Sequence, residues 1–216
     1  MKIAEASRRT SPSRAQGLGQ PAWDIALIFP SQGEWTDEEY LELENNSENR
    51  LVELNDGVLE VLPVPDLFHQ GIVRFLFKAM DEHVTSHELG EVFFSPLPIR
   101  LWERQFREPD LVFLKKERVK NRRKPPQGAD IVMEVVSKGK KNRQRDLSTK
   151  RRVYAKAKIP EYWIVDPEHK TITVLWLTGE RYKVHGKFRP GQEAVSLLLE
   201  GFTVNVAEVF AAGDGK

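Results

Sequence analysis

The sequence predicts a mixed α/β (α+β) fold, a central mixed β-sheet flanked by helices, and three observations carry that expectation. Ala129 to Val136 is an almost continuous apolar run, as in a central strand covered on both faces. From Asp66 to about Glu88, Ile72, Leu76 and Met80 recur every four residues, the spacing of one helix face. Between Leu51 and Leu62, two strand-like runs flank Asp56-Gly57, a pair that accepts the positive φ of a hairpin turn.

The remaining elements follow in chain order. Residues 1–33, with Ser7-Arg8-Arg9-Thr10-Ser11-Pro12-Ser13 and Gly17, Gly19 and Pro21, read as a flexible leader carrying an apolar patch, Trp23 to Phe29. The domain is expected over 34–212, with 213–216 as a tail. Thr36 and Glu39 have the spacing of a capping box at a helix start. Glu91 to Leu101 and Pro109 to Leu114 are expected strands, separated by the polar turn Glu103-Arg104-Gln105. Lys141 to Lys158 has helical composition, with Leu147, Lys150, Tyr154 and Ala157 on one stripe, and Ile159-Pro160 ends it. Glu161 to Asp166 is the next strand, and Thr171 to Leu177 and Arg181 to His185 form an antiparallel pair around Thr178-Gly179-Glu180.

Composition narrows the class. A chain of 216 residues suffices for one domain with a sizeable core, and 40% hydrophobic with 30% charged residues fits a soluble globular protein. No apolar run approaches the ~18 residues needed to span a bilayer. The polar N-terminus has no apolar signal core, which argues against secretion. Absence of cysteine excludes disulfides and thiolate metal sites and fits a reducing cytoplasm.

The net charge of +1 hides an asymmetry. Glu34 to Glu60 holds ten acidic residues against Arg50 alone. Lys115 to Lys124 holds seven basic residues against Glu117, and Lys138 to Arg152 holds eight against Asp146. Such blocks are commonly solvated loops. Here they bracket, in sequence, the strand bearing Glu134, which points towards a polyanion such as nucleic acid.

The chemistry centres on Asp110, Glu134 and Lys150. An ionised carboxylate in an apolar strand needs a partner, because desolvating it is costly. Asp110 heads the run Leu111 to Leu114, and Glu134 shares a strand face with Val132 and Val136. On neighbouring strands, about 4.8 Å apart, the two could chelate one Mg²⁺ or Mn²⁺. Such an ion would polarise a phosphodiester and activate a water, while Lys150 deprotonates that water or offsets developing charge. Asp146 and Lys150, four apart on a helix, equally describe a surface ion pair. A strand glutamate such as Glu53 is by default exposed, and a histidine on an apolar stripe such as His69 is by default a core residue.

Read in order, Val52-Glu53-Leu54-Asn55-Asp56-Gly57, His69, Glu108-Pro109-Asp110-Leu111-Val112-Phe113, Val132-Met133-Glu134-Val135-Val136-Ser137, Arg145-Asp146 to Lys150, and Ile159-Pro160-Glu161-Tyr162-Trp163-Ile164-Val165-Asp166-Pro167 resemble the putative restriction endonuclease family abundant in cyanobacteria. That family belongs to the PD-(D/E)XK nuclease superfamily. The likeness runs from about Trp35 to Phe210. It implies a restriction-endonuclease-like core, Asp110 and Glu134 as metal ligands, Glu53 as a further acidic ligand, and a site role for His69. It also implies DNA as partner and a homodimer that cuts both strands. The superfamily lysine usually stands two residues after the glutamate, where this chain has Val136. Lys150 matches the position to which the family's lysine has migrated. A module that keeps the fold and binds nucleic acid without cutting is the alternative.

Overall fold

The computed structural model describes residues 30–46, 52–139 and 143–215. The chain divides into Met1–Ser31 and a compact unit, Gln32–Lys216. The apolar patch at 23–29 lies outside the described residues. Gln32 already belongs to the larger unit, its Oε1 accepting from Leu59 N at 2.8 Å.

Helix α1 (Asp37–Asn46) starts at a capping box: Thr36 Oγ1 accepts from Glu39 N at 3.2 Å, and Glu39 Oε2 accepts from Thr36 N at 2.9 Å. Strands β1 (Val52–Asn55) and β2 (Val58–Val61) form the expected hairpin, with φ of 48° at Asp56 and 81° at Gly57. Helix α2 (Leu67–Ser86) is capped by Asp66, which accepts from His69 N, and buries Ile72, Leu76 and Met80.

The single strand expected over Glu91 to Leu101 is two strands. Pro96 and Pro98 cannot donate to a ladder, so β3 (Gly90–Phe94) ends before them and β4 (Ile99–Trp102) joins another sheet with β5 (Gln105–Arg107). Strands β6 (Leu111–Lys115) and β7 (Ile131–Val135) follow the two expected apolar runs, and every residue of β7 is buried. The next helix is not α-helical throughout. Its described part is α-helical at Arg143 and Gln144, widens to a π-turn over Arg145–Thr149 and continues as α3 (Lys150–Lys156). Strands β8 (Glu161–Asp166), β9 (Thr171–Thr178) and β10 (Arg181–Phe188) come next, β10 running three residues past its expected end through an irregularity at 184/186. A small pair, β11 (Glu193–Val195) with β12 (Thr203–Asn205), leads into α4 (Val206–Gly213). No sequence signal marked these last three.

Two larger sheets result. One is four-stranded, in the order β2-β1-β5-β4, and one is six-stranded, in the order β10-β9-β8-β7-β6-β3. In the second, β7 and β8 run parallel and the other pairs antiparallel. A parallel neighbour requires a crossover, and here that connection contains α3. Alternation along β6, β7 and β8 feeds two apolar layers: Phe113, Met133 and Trp163 pack with α2 and α4, whereas Val112, Val132 and Tyr162 pack with α3 through Tyr154. Each fully buried large side chain contributes about 1.5–3 kcal/mol, so all three helices are fixed firmly on the sheet. Glu134 has the parity of Val132 and therefore points towards α3.

Candidate functional site

β6 and β7 are antiparallel, with Leu111 opposite Met133. Asp110, one residue before β6, is therefore delivered to the end of β7 where Glu134 stands. Val135 N–H donates to Asp110 Oδ2 at 2.7 Å, which locks that carboxylate against β7. His69, in the first turn of α2, places Nε2 3.2 Å from the same oxygen. Burial pulls this imidazole's pKa down, but the bond to Asp110 and the charge there outweigh it, leaving the pKa above the ordinary histidine value.

Glu134 is 3% exposed and has both oxygens engaged. Lys150 Nζ donates to Oε2 at 2.7 Å and the Tyr154 hydroxyl to Oε1 at 2.5 Å. The ammonium also lies 3.7 Å from Glu53 Oε1 and 3.8 Å from Asp146 Oδ1. Burial raises the Glu134 pKa to about 8, with Asp110, Asp146 and Glu53 adding to it against the pull of Lys150. Burial alone would lower Lys150, yet Glu134, Glu53 and Asp146 together hold it above the ordinary lysine value. Burial leads the shift of Glu134 and the neighbouring carboxylates add to it, whereas for Lys150 the same carboxylates act against burial.

The site residues expected from sequence converge here, but not all as expected. Glu53, by default an exposed strand residue, is fully buried. Its Oε2 accepts from Arg107 Nη1 at 2.7 Å and its Oε1 from Glu108 N at 3.0 Å. Those two bonds and the adjacent Lys150 ammonium outweigh burial and hold its carboxyl down at about 2. Among the described residues no group of three or more His, Asp or Glu side chains is arranged to hold a metal. The ligand set Asp110, Glu134, Glu53 is thus not assembled, because Glu53 is turned to Arg107 and the Glu108 amide. Of that set, Asp110 and Glu134 line one cavity. Asp110 Oδ1 carries no hydrogen bond among the described residues, and two carboxylate ligands suit a hard divalent ion that keeps its waters.

Asp146 is 1% exposed and no surface partner of Lys150. It accepts from Ser137 N at 3.1 Å and from Arg145 Nε at 3.2 Å. The sequence places Tyr154 only on the helix stripe that it shares with Lys150. The signal for both was the spacing 146, 150, 154, and the π-turn, a feature common at functional sites, sets the directions actually taken. Glu108 stands in the sequence only as part of the motif Glu108-Pro109-Asp110. It is buried beside Glu44, and burial followed by repulsion from Glu44 and Glu53 raises its pKa to about 9.

The two basic blocks do not both flank this site. Lys138, Arg143, Arg145 and Lys150 line a cavity of about 500 Å³ together with Asp110 and Glu134. The block from Lys115 begins where β6 ends, five residues beyond Asp110, and thus about 17 Å along the strand. There Arg118 pairs with Asp130 at 2.8 Å, and Arg122 pairs with Glu91. Adjacency in sequence became opposite ends of a strand. No helix among the described residues is long and apolar enough to cross a membrane.

Comparison with known proteins agrees with this architecture. A solved structure of a putative nuclease from Anabaena variabilis superposes with a TM-score of 0.66 at 16% identity, covering 85% of this chain and 99% of that one. At that identity the likeness establishes the shared fold. No curated protein matches the chain. The Uma2 family, described as putative restriction endonuclease, matches residues 37–207. The chain belongs to that family.

Proposed function

We propose that this protein is a metal-dependent endonuclease that hydrolyses DNA phosphodiester bonds, a PD-(D/E)XK enzyme whose lysine comes from the helix after the glutamate strand. The observation that carries the reading is the convergence of Asp110, Glu134 and Lys150, from three separate elements, on one cavity. Asp110 and Glu134 would hold Mg²⁺ or Mn²⁺. Such an ion supplies Lewis-acid charge and a water of lowered pKa.

The chain's own groups do the rest. Lys150, ringed by Glu134, Glu53 and Asp146, remains an ammonium. Its part is therefore to offset charge on the pentacoordinate phosphorus rather than to take a proton from water. Glu53 braces Lys150 and, through the Glu108 amide, the segment that leads into Asp110. His69 orients Asp110.

Plasmid incubated with Mg²⁺ or Mn²⁺ tests the proposal. Wild type should nick it, and Asp110→Ala and Lys150→Ala should not; equal nicking by all three would sink it. One observation favours the second reading, a nucleic-acid-binding module that does not cut: both Glu134 oxygens are already bonded within the protein. Calorimetric titration with Mn²⁺ separates the two, since only a working site shows binding that disappears in Asp110→Ala. Pairing of two copies, so that both DNA strands are cut, belongs to the same proposal, and sedimentation of the full chain tests it.

A further inference from the structure

The cations lining the cavity are not equivalent. Lys150 is committed to Glu134. Lys138 Nζ donates to Asp66 at 2.8 Å. Arg143 is held in a bidentate pair with Asp166, Nη1 to Oδ1 at 2.9 Å and Nη2 to Oδ2 at 2.8 Å. Its Nη1 also lies 3.1 Å from Glu168. Arg145 differs. It is bonded through Nε to Asp146 Oδ1, and its Nη1 and Nη2 have no hydrogen-bond or carboxylate partner among the described residues.

This arrangement is a fixed fork. Asp146 is itself pinned by Ser137 N–H, so the Nε bond defines which way the guanidinium faces. The Arg145 side chain is 17% exposed, so it is an inner wall residue and not a solvated surface arginine. Using Nε for Asp146 leaves free the end of the guanidinium whose parallel N–H groups match two oxygens of one phosphate. A lysine in this place would present a point charge without that geometry.

We propose that Arg145 binds the two non-bridging oxygens of the phosphate to be cleaved, with Asp146 as the residue that aims it. This rests on the nuclease reading of the same cavity and assigns its substrate-gripping group. Charge builds on those oxygens as the phosphorus becomes pentacoordinate, so a pre-aimed guanidinium stabilises the transition state more than the ground state.

The test has one readout that does not need cleavage. In metal-free full-length protein, inorganic phosphate is titrated while the arginine Nε–H signals are followed by NMR. Wild type should show one saturable arginine shift, absent in Arg145→Met and kept in Arg152→Gln, a charge loss outside the cavity. Undiminished phosphate binding in Arg145→Met would overturn the proposal.

Plasmid cleavage supplies the second readout. Arg145→Met should lower kcat by about 100-fold, and Arg145→Lys, which keeps the charge, should regain less than a tenth of the loss. Full rescue by lysine would overturn the fork geometry. Wild type that binds phosphate through Arg145 but cuts nothing leaves the anion site standing and removes the nuclease reading. Wild type that cuts as fast as Arg145→Met does the reverse.

Discussion

Lys150 Nζ donates to Glu134 Oε2 at 2.7 Å across sixteen residues of chain, so one buried bond ties α3 to the end of β7. Removing the ammonium would leave Glu134, Glu53 and Asp146 buried without their shared cation. Lys150→Met is therefore expected to cost about 3–5 kcal/mol, the range for breaking a buried ion pair from one side. Glu134→Gln should cost less than about 2 kcal/mol, because Lys150 keeps Glu53 and Asp146 nearby and the glutamine amide oxygen still accepts one of the two hydrogen bonds. Urea denaturation of the two variants checks the order. The reverse order would show that the carboxylates, not the ammonium, are the compensating partners.

The hydroxyl of Tyr154 completes the Glu134 coordination at 2.5 Å, while its ring packs edge-on against Tyr162 at 5.1 Å. Tyr154→Phe keeps the ring and deletes one hydrogen bond to a buried carboxyl oxygen, for an expected loss of about 1–3 kcal/mol. Cleavage should fall as well, because Glu134 is then restrained from one side only. A drop in stability with unchanged plasmid nicking would assign Tyr154 to packing alone.

What the sequence revealed and what it hid have distinct physical causes. Strand β7 and helix α2 were legible because burial writes its own periodicity, and Asp110 and Glu134 came into view because one carboxylate heads such a run and the other interrupts one. Glu53 was not legible as a buried group, since its partner Arg107 sits on a strand whose neighbour is set by tertiary pairing between β1 and β5. Asp146 was half legible: its spacing from Lys150 fits both a surface pair and a site, and only its bonds to Ser137 N and to the Tyr162 hydroxyl decide. The block at Lys115 misled because a five-residue strand separates it from Asp110. The end of the chain, β11, β12 and α4, carried too little pattern to be recognised before its packing was seen.

Asp166 gives a pH-dependent contribution of defined sign. Burial would raise its carboxyl, but Arg143 and His169 outweigh it and hold the pKa at about 2. A folded-state pKa below the unfolded one means stability that is complete above the ordinary aspartate value and is lost as pH falls through about 2. Asp166→Asn should therefore be less stable than wild type by a constant margin from neutral pH down to about 4, and the margin should close below that. Urea midpoints measured at stepped pH check this. A margin that stays open below about pH 2 would mean that the Arg143 and His169 contacts are not what depress Asp166.

Arg107 and Glu53 are both fully buried, with Nη1 2.7 Å from Oε2, and Arg107 also reaches Glu60 Oε2 at 2.9 Å. The Nε and Nη2 atoms of this arginine have no hydrogen-bond partner among the described residues, so the pair is already costly to bury. Its value lies in placement. Glu53 also accepts from the Glu108 amide, two residues before Asp110, and so transmits the position of β1 to the head of β6. Arg107→Met should destabilise by about 3–5 kcal/mol, because it strands a buried carboxylate. Adding Glu53→Gln removes that charge and should recover more than half of the loss, a coupling of about 2 kcal/mol in a double-mutant cycle. Activity should not follow stability: the double variant, refolded and soluble, should still nick plasmid poorly, because a neutral side-chain amide in place of Glu53 braces neither Lys150 nor the Asp110 segment as the carboxylate does. Recovery of nicking in step with stability would reduce Glu53 to a structural counter-ion.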